Sequence, residues 1–509
     1  MTGIGPGWAV FAATVAARGH WPAVVQGDDT TSFAALGALA RSLAAVLAGR
    51  SVGQGDRVVL HLGNSVWAVA LPVALWSIGA LPVFAPGDMT RTALDDIATR
   101  VGAKGVISDS LTDCAAAPLW PLADLVAARG KGGPEVAPAT EPDALGPDAL
   151  GPDALGSVVF TSGSTGRPKG VMQTQAALLD GAFRVSQAVG YGPDDRLLVA
   201  VPFSHDYGWG QVLSAYRLGL TLILPKTPGL AGIPEAIERH RPTVLGGVPS
   251  VYAGLTRGVS DVATRDRSSV RLVMSTGSAM PQRVWHDLAA LFPGARRCLN
   301  YGLTETFRSA TLREADAHLA PGVVGTALPG AGLAIVDEAG QVCAAGVWGQ
   351  IVHRGAGAFV GYWDDPAQTA ARLRPDPLGG PGNAVFTGDR GMLDAAGRLT
   401  VGDRLDRMVK VMGLAASPLA IEEVLRAVPG VQAAAVVFAA HEILGTELHA
   451  VLVAAPGVIE AALQVAASAA TRAALAPHER PRRWHFRAAL PLTASGKVDL
   501  VGLTKAVTG

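Results

Sequence analysis

The chain has 509 residues, 49% of them hydrophobic and 17% charged, so it has ample apolar material for a large core and, as a prior, roughly two to four domains. Its 42 Lys and Arg balance 42 Asp and Glu, so no global field draws it to nucleic acid or to an anionic membrane, and small-molecule partners become the default expectation. Cys114, Cys298 and Cys343 are widely separated and form no CxxC or Cys/His spacing, which argues against a disulfide framework or a zinc site and fits a reducing cytoplasm.

Residues 8–17 are apolar, but no basic residue precedes them and Arg18 cuts the run short. They read as an amphipathic surface helix rather than a signal peptide. The apolar run 66–84 is broken by Pro72, Gly79 and Pro82, and reads as a buried helix turning into a buried strand, not as a membrane span. Nearly continuous apolar strands are expected at 58–62, 81–85, 158–161, 197–201, 220–224, 244–248 and 272–275, with helices such as 33–47, 176–189 and 283–291 between them. Strands apolar on both faces and separated by helices indicate an α/β fold of parallel sheets covered on both sides. Residues 131–156 are rich in Gly, Pro and acidic groups and carry PDALG three times in tandem. That period is too short for a solenoid, and the expectation is an exposed loop lengthened by duplication. After 401–404 the pattern restarts as a compact α/β unit with a helix at 418–427, strands at 434–438 and 448–453, a helix at 459–474 and a strand at 484–487. The expected organisation is a large region over 1–404, of two or three subdomains, and a small domain over 405–509.

One loop dominates the chemistry. Val158-Val159-Phe160-Thr161-Ser162-Gly163-Ser164-Thr165-Gly166-Arg167-Pro168-Lys169-Gly170 leaves a buried strand and packs four hydroxyls, three glycines and two cations into ten residues. Glycines let backbone N–H groups crowd an anion, hydroxyls add donors, and Lys169 adds charge. This is equipment for a polyphosphate. No GxxxxGK[ST] spacing fits it, so it is not a Walker A loop, and kinase signatures are missing too. A Gly/Ser linker shares the composition, but a linker does not begin inside a strand and end in Lys-Gly-Val.

This loop closely resembles the signature of the adenylate-forming superfamily, which includes acyl-CoA synthetases, the adenylation domains of peptide synthetases and luciferase. Gln175 stands where the family usually has His, a change at a helix entry. Five further elements resemble the family in the same order along the chain. The resemblance implies that Thr161, Ser162, Ser164, Thr165 and Lys169 hold ATP phosphates. In Tyr301-Gly302-Leu303-Thr304-Glu305 it implies that Tyr301 stacks on adenine, Gly302 is among the nucleotide-binding residues, Thr304 contacts phosphate and Glu305 holds Mg²⁺. Thr276-Gly277-Ser278-Ala279 resembles the backbone wall beside the adenine, and Asp389 of Thr387-Gly388-Asp389 is implied to bind both ribose hydroxyls. Gly402-Asp403-Arg404-Leu405-Asp406 resembles the domain-joining GRxD element, with Asp403 where the family has Gly. Arg404 would reach the nucleotide, and Asp406 would be the hinge about which the small domain turns between two half-reactions. Finally, Pro491-Leu492-Thr493-Ala494-Ser495-Gly496-Lys497 resembles PxTxSGK, whose lysine is catalytic; Lys497 would neutralise charge between the acyl carboxylate and the α-phosphate.

The expected reaction is attack of a carboxylate on the α-phosphorus of ATP, loss of pyrophosphate, and transfer of the acyl group from the adenylate to an acceptor. Pro202-Phe203-Ser204-His205-Asp206-Tyr207-Gly208-Trp209-Gly210 resembles the acyl-pocket region, with His205 at the gate. Tyr207 and Trp209 suggest a flat or aromatic acid, with ordinary packing as the other reading. Asp206 has two readings: a cap for the following helix, or a catalytic carboxylate that orients or deprotonates an amine. Lys410-Val411-Met412-Gly413 keeps the KxxG that many CoA ligases use, but Leu414-Ala415-Ala416 and Val498-Asp499-Leu500 are poor in the cations CoA phosphates want; Arg407, Arg482 and Arg483 remain. Three acceptors follow: an amine, as in stand-alone amide bond synthetases, which this reading prefers; CoA; or a carrier-protein thiol, although the chain ends twelve residues past Lys497 with no carrier domain fused. A non-catalytic nucleotide-binding protein would be expected to have lost Glu305 or Lys497, and both are present.

Overall fold

The computed structural model describes residues 6–87, 89–128, 154–161, 168–257, 260–313, 322–405, 407–411, 414–441, 445–493 and 498–508. Ser162, Ser164, Thr165, Asp406 and Lys497 therefore lie outside the described residues, as do the first two PDALG copies. The described chain divides into two compact units. One holds residues up to 334 with 352–387 and 397–399; the other holds 335–351, 388–396 and 400–509.

The larger unit contains two sheets that share a core. In one, strands Arg57–His61, Leu81–Ala85, Gly105–Ser108 and Leu155–Thr161 run parallel, and Lys169–Thr174 and Gly361–Tyr362 close the edge antiparallel. In the other, Pro22–Gln26, Thr221–Leu224, Arg196–Val199, Val244–Gly247, Leu272–Ser275 and Arg296–Tyr301 are parallel neighbours, and Ala310–Arg313 turns back antiparallel. Expectation and structure agree on the α/β class and on these central strands; the antiparallel edges are additional.

Alternation explains the layering. Along Arg196–Val199, Leu197 and Val199 enter the shared core while Leu198 enters a second core on the opposite face. In the first sheet Val58 and Leu60 face the shared core and Val59 faces outward to another cluster. Each sheet is buried on both faces, so each strand must be apolar throughout. Helices Phe33–Ala48, Val66–Ser77, Gln175–Val189 and Asp206–Leu218 fill the space between the sheets. Val66–Ser77 is apolar all round because it has no wet side. Ser65 caps it through Ala68 N, and Pro72 sits within it without ending it. The expected surface helix is Gly7–Arg18; it buries Gly7, Phe11 and Thr14, and Gly7 N donates to the Gln175 amide oxygen at 2.6 Å. The Gln at the helix entry thus fastens the first helix to the core.

The third PDALG copy overturns the expectation of a wholly exposed loop. Leu155 and Gly156 open the strand Leu155–Thr161, Ala154 O accepts from Gln175 N at 2.9 Å, and Gly156 O accepts from the buried Trp76 Nε1 at 2.8 Å.

In the smaller unit, strand Val431–His441 pairs antiparallel with Gly445–Ala454, which pairs parallel with Arg483–Phe486. Helices Pro418–Arg426 and Glu460–Ala474 cover this sheet, as expected, together with Leu500–Thr508 and a hairpin of Val409–Val411 with Leu414–Ala416 that periodicity did not signal. Among the described residues no helix is long and apolar enough to cross a membrane.

Candidate active site

Thr161 and Lys169 face each other in the ladder between Leu155–Thr161 and Lys169–Thr174, so the phosphate-type loop is held at both ends by one antiparallel pair. Lys169 Nζ donates to Gln368 Oε1 at 3.1 Å and lies 5.4 Å from the centre of the Tyr362 ring, within cation–π range. Tyr362 in turn donates its phenol hydrogen to Glu305 Oε1 at 2.6 Å. Burial, and next the Glu305 charge, hold the Tyr362 phenol well above its usual range, so it remains a donor. The structure thus links two residues chosen from distant motifs, Lys169 and Glu305, through a third that the sequence did not mark.

Glu305 stands on a short turn, Thr304–Thr306, directly after the strand that ends in Tyr301. Gly302 is required there: a Cβ would lie 2.7 Å from Arg308 Cα, because the chain folds straight back on itself. Ser309 N closes the turn on Tyr301 O at 2.8 Å. Phe307 takes φ 56° and ψ −68°, a rare backbone for a residue with a side chain, and its ring fills the space beside Gly181 and Gly210. Beneath the turn the fully buried His353 bonds Ser309 Oγ through Nδ1 and Ala356 O through Nε2, both at 3.0 Å. Burial lowers the His353 pKa to about 4, so the ring is neutral at pH 7; Nε2–H donates to the carbonyl and Nδ1 accepts from the hydroxyl.

The wall residues come next to the same turn. Thr276 Oγ1 donates to Asn300 O at 2.8 Å, and Gly277, Ser278 and Ala279 follow as an exposed bend. Gly277 adopts φ +94°, which a side chain would resist. In the smaller unit Asp389 and Arg404 lie on neighbouring strands, with Asp389 Oδ1 3.7 Å from Arg404 Nη1. The segment carrying Lys497 is closed at its base by a bridge between Leu492 and Val498 and by Asp499 N donating to Pro491 O at 2.9 Å.

The region 205–209 differs from expectation. His205 is the N-cap position of helix Asp206–Leu218, without a side-chain cap bond, and Asp206 is the first helical residue, so the capping reading of Asp206 fails. Asp206 Oδ2 accepts from Arg308 Nη1 at 2.8 Å, and the Arg308 side chain is only 5% exposed. Arg308 also donates to Phe307 O and lies 5.0 Å from the Tyr207 ring centre. Trp209 packs with Trp76, Phe84 and Tyr216, and the buried Tyr207 donates to Met274 O at 3.2 Å. Trp209 is ordinary packing, and Tyr207 has its hydroxyl committed to the backbone.

Sequence reasoning missed Tyr362, Arg308 and His353. Arg308 carried a signal, a charge between Phe307 and Ser309-Ala310, where the chain is otherwise preparing to enter a buried strand. Tyr362 and His353 carried none, since their partners are 57 and 44 residues away.

With this geometry in hand, the comparisons with known proteins agree. The AMP-binding enzyme family matches residues 11–363, and the AMP-binding enzyme C-terminal domain matches residues 420–497. The chain is 29% identical to 3-hydroxybenzoate–CoA ligase of Aromatoleum sp. (strain CIB) over 504 residues, 94% of this chain and 92% of the relative. It is 31% identical to a long-chain-fatty-acid–CoA ligase of Bacillus subtilis (strain 168) over 345 residues, 67% of this chain and 59% of the relative. The solved structure of ATP-bound MatB from Rhodopseudomonas palustris matches with a TM-score of 0.85 at 26% identity, covering 98% of each chain. The chain belongs to the AMP-binding enzyme family and is an ATP-dependent, AMP-forming acid ligase.

Proposed function

We propose that the acid is aromatic and that the acyl group passes to the thiol of coenzyme A. The observation that favours the acceptor is a small surface recess in the smaller unit beside strand Val409–Val411, lined by Val411, Glu447, His478, Arg480 and Arg482 among others, which groups arginines there. It brings cations to the neighbourhood of the KxxG segment, where sequence alone suggested a shortage. Arg407 is bound to the buried Glu422, Arg483 to Glu447, and Arg480 to the carbonyls of Leu475 and Arg472, so the exposed Arg482 is the cation that suits a multiply phosphorylated acceptor best. Asp206, the main support for an amine, is bound by Arg308 and serves that buried charge. The whole-length relative is named for an aromatic acid and for CoA, which supports both halves of the reading. An amine is the second reading; it is favoured by the exposed, uncharged Leu414 directly after the KxxG segment, 56% accessible.

In the first half-reaction the acid's carboxylate oxygen bonds to the α-phosphorus as the bond to pyrophosphate breaks. Lys169 and the 162–167 loop carry the leaving phosphates, Thr304 contacts phosphate, Tyr301 and the 277–279 bend receive the base, and Asp389 with Arg404 takes the ribose side. Lys497 neutralises charge at the reacting oxygens. Glu305 fits a divalent hard cation: it is a carboxylate whose Oε1 is held by Tyr362, with Oε2 as a second oxygen donor. Such an ion would supply charge neutralisation on the phosphates. In the second half-reaction the thiol sulfur bonds to the acyl carbon, AMP leaves, and the thiol proton passes to solvent. His205 gates the acyl pocket, and the region from 405 turns about Asp406 between the two steps.

The test is acid-dependent pyrophosphate release over aryl and aliphatic acids, each active acid then offered CoA and simple amines together, with products weighed by mass spectrometry. An aroyl-CoA as main product supports the proposal. An amide formed without CoA establishes the second reading, and preference for aliphatic acids overturns the acid class.

A further inference from the structure

Position 403 is where this chain departs from the GRxD element, with an aspartate in place of glycine. The Asp403 side chain is 2% exposed. Its Oδ2 accepts from Ser417 Oγ at 2.6 Å and from Leu419 N at 2.7 Å, and its Oδ1 lies 3.7 Å from Arg407 Nη1. Ser417 Oγ accepts from Ala420 N at 3.1 Å, so Asp403 also orients the hydroxyl that caps helix Pro418–Arg426. Arg407 continues to Glu422, which holds Arg426 at 2.6 Å and accepts from Val436 N at 2.9 Å. Two anions and two cations thus form one neutral, largely buried network. A carboxylate accepting a hydroxyl and an amide hydrogen makes charge-assisted bonds, stronger than neutral ones. Burial nevertheless pushes the Asp403 carboxyl up, against the pull of these donors and Arg407.

These bonds run from residue 403 to residues 417 and 419, across the hinge position 406. Rotation about 406 moves 417–419 relative to 403 and must break both bonds to Oδ2. Glycine at 403 could make neither. We infer that Asp403 is a positioning residue that clamps the hinge of this chain, biasing the partition between adenylation and acyl transfer. The inference rests on the two-step reading and on the hinge at Asp406.

The experiment compares the full chain with Asp403→Gly, Asp403→Asn and Ser417→Ala by two readouts. The first, without substrates, is the rate of tryptic cleavage after Arg404 and Arg407, alongside the thermal midpoint. Asp403→Gly is expected to be nicked about tenfold faster, the worth of one charge-assisted bond, and Asp403→Asn, which keeps an acceptor oxygen, falls between it and the parent. The second is the ratio of acid-dependent ATP–pyrophosphate exchange to single-turnover consumption of the adenylate by CoA. That ratio moves about tenfold in Asp403→Gly and in the same direction, by less, in Ser417→Ala. Unchanged nicking overturns the clamp, and parallel loss of both half-reactions with a lowered midpoint reduces Asp403 to a structural cap. Absence of acid-dependent exchange in the parent chain would sink the proposed function instead, and the tryptic comparison would still decide whether a clamp exists.

Discussion

Two carboxylates within one fold meet opposite fates. Glu305, on the turn after Tyr301, is bound by a neutral phenol that orients it and brings no counter-charge. Asp206, at the start of its helix, is bound by a buried guanidinium that cancels its charge. A carboxylate anchored through one oxygen by a neutral partner suits a metal ion. A carboxylate paired with Arg308 suits holding a wall in place. Residue type alone could not separate them; the partner does.

The largest effect expected lies outside both. Lys497→Ala should lower acid-dependent pyrophosphate release by about 10²–10³-fold while nucleotide binding persists, because neither carboxylate can neutralise charge at the reacting oxygens. Normal release in that variant would remove Lys497 from the reaction. Glu305→Gln should cost roughly a hundredfold and recover partly as Mg²⁺ is raised, while Tyr362→Phe, which only frees the carboxylate, should cost about tenfold. Equal losses from the two would mean that Tyr362 does more than orient Glu305. Asp206→Asn leaves a buried guanidinium without its counter-charge and should destabilise the fold by about 3 kcal/mol in urea titration. Replacing Arg308 by methionine in the same chain should return much of that. Unchanged stability with a selective loss of amide formation would revive the amine reading. The smallest effect concerns the support under the Glu305 turn. Unfolded His353 takes a proton near pH 6.5 and the folded ring only near about 4, so the unfolded state binds more protons between those values. Stability should be flat above pH 7 and fall as pH drops through this window, by about 1 kcal/mol at pH 5.5, and His353→Gln should flatten the curve.

What was legible in the sequence was whatever is written locally. The parallel strands were visible because burial on both faces forces contiguous apolar runs, as at Val58–Val59–Leu60, and the small unit was visible because its alternation restarts. Motif positions such as Glu305 and Lys169 were legible because each lies in a short contiguous run of the chain. What stayed hidden depends on long closures. Tyr362 meets Glu305 only because Gly361–Tyr362 pairs with Lys169–Thr174, nearly two hundred residues earlier. The Arg308 partnership required the start of a helix a hundred residues before it, so Asp206 was read as a cap or a base and never as a counter-ion. The hairpin of Val409–Val411 with Leu414–Ala416 was missed because six paired residues are too few for any period to register.

The tandem repeat ahead of the phosphate-type loop has a consequence for how this gene can vary. The last PDALG copy enters the strand through Leu155 and Gly156, and Gly156 cannot carry a side chain without striking Leu178 and Gln175. Because all three copies are identical, an in-frame loss or gain of one unit by slippage during replication leaves the same Ala-Leu-Gly at the strand entrance. Such a change alters the number of residues ahead of the strand and preserves the glycine at 156 that its close packing requires.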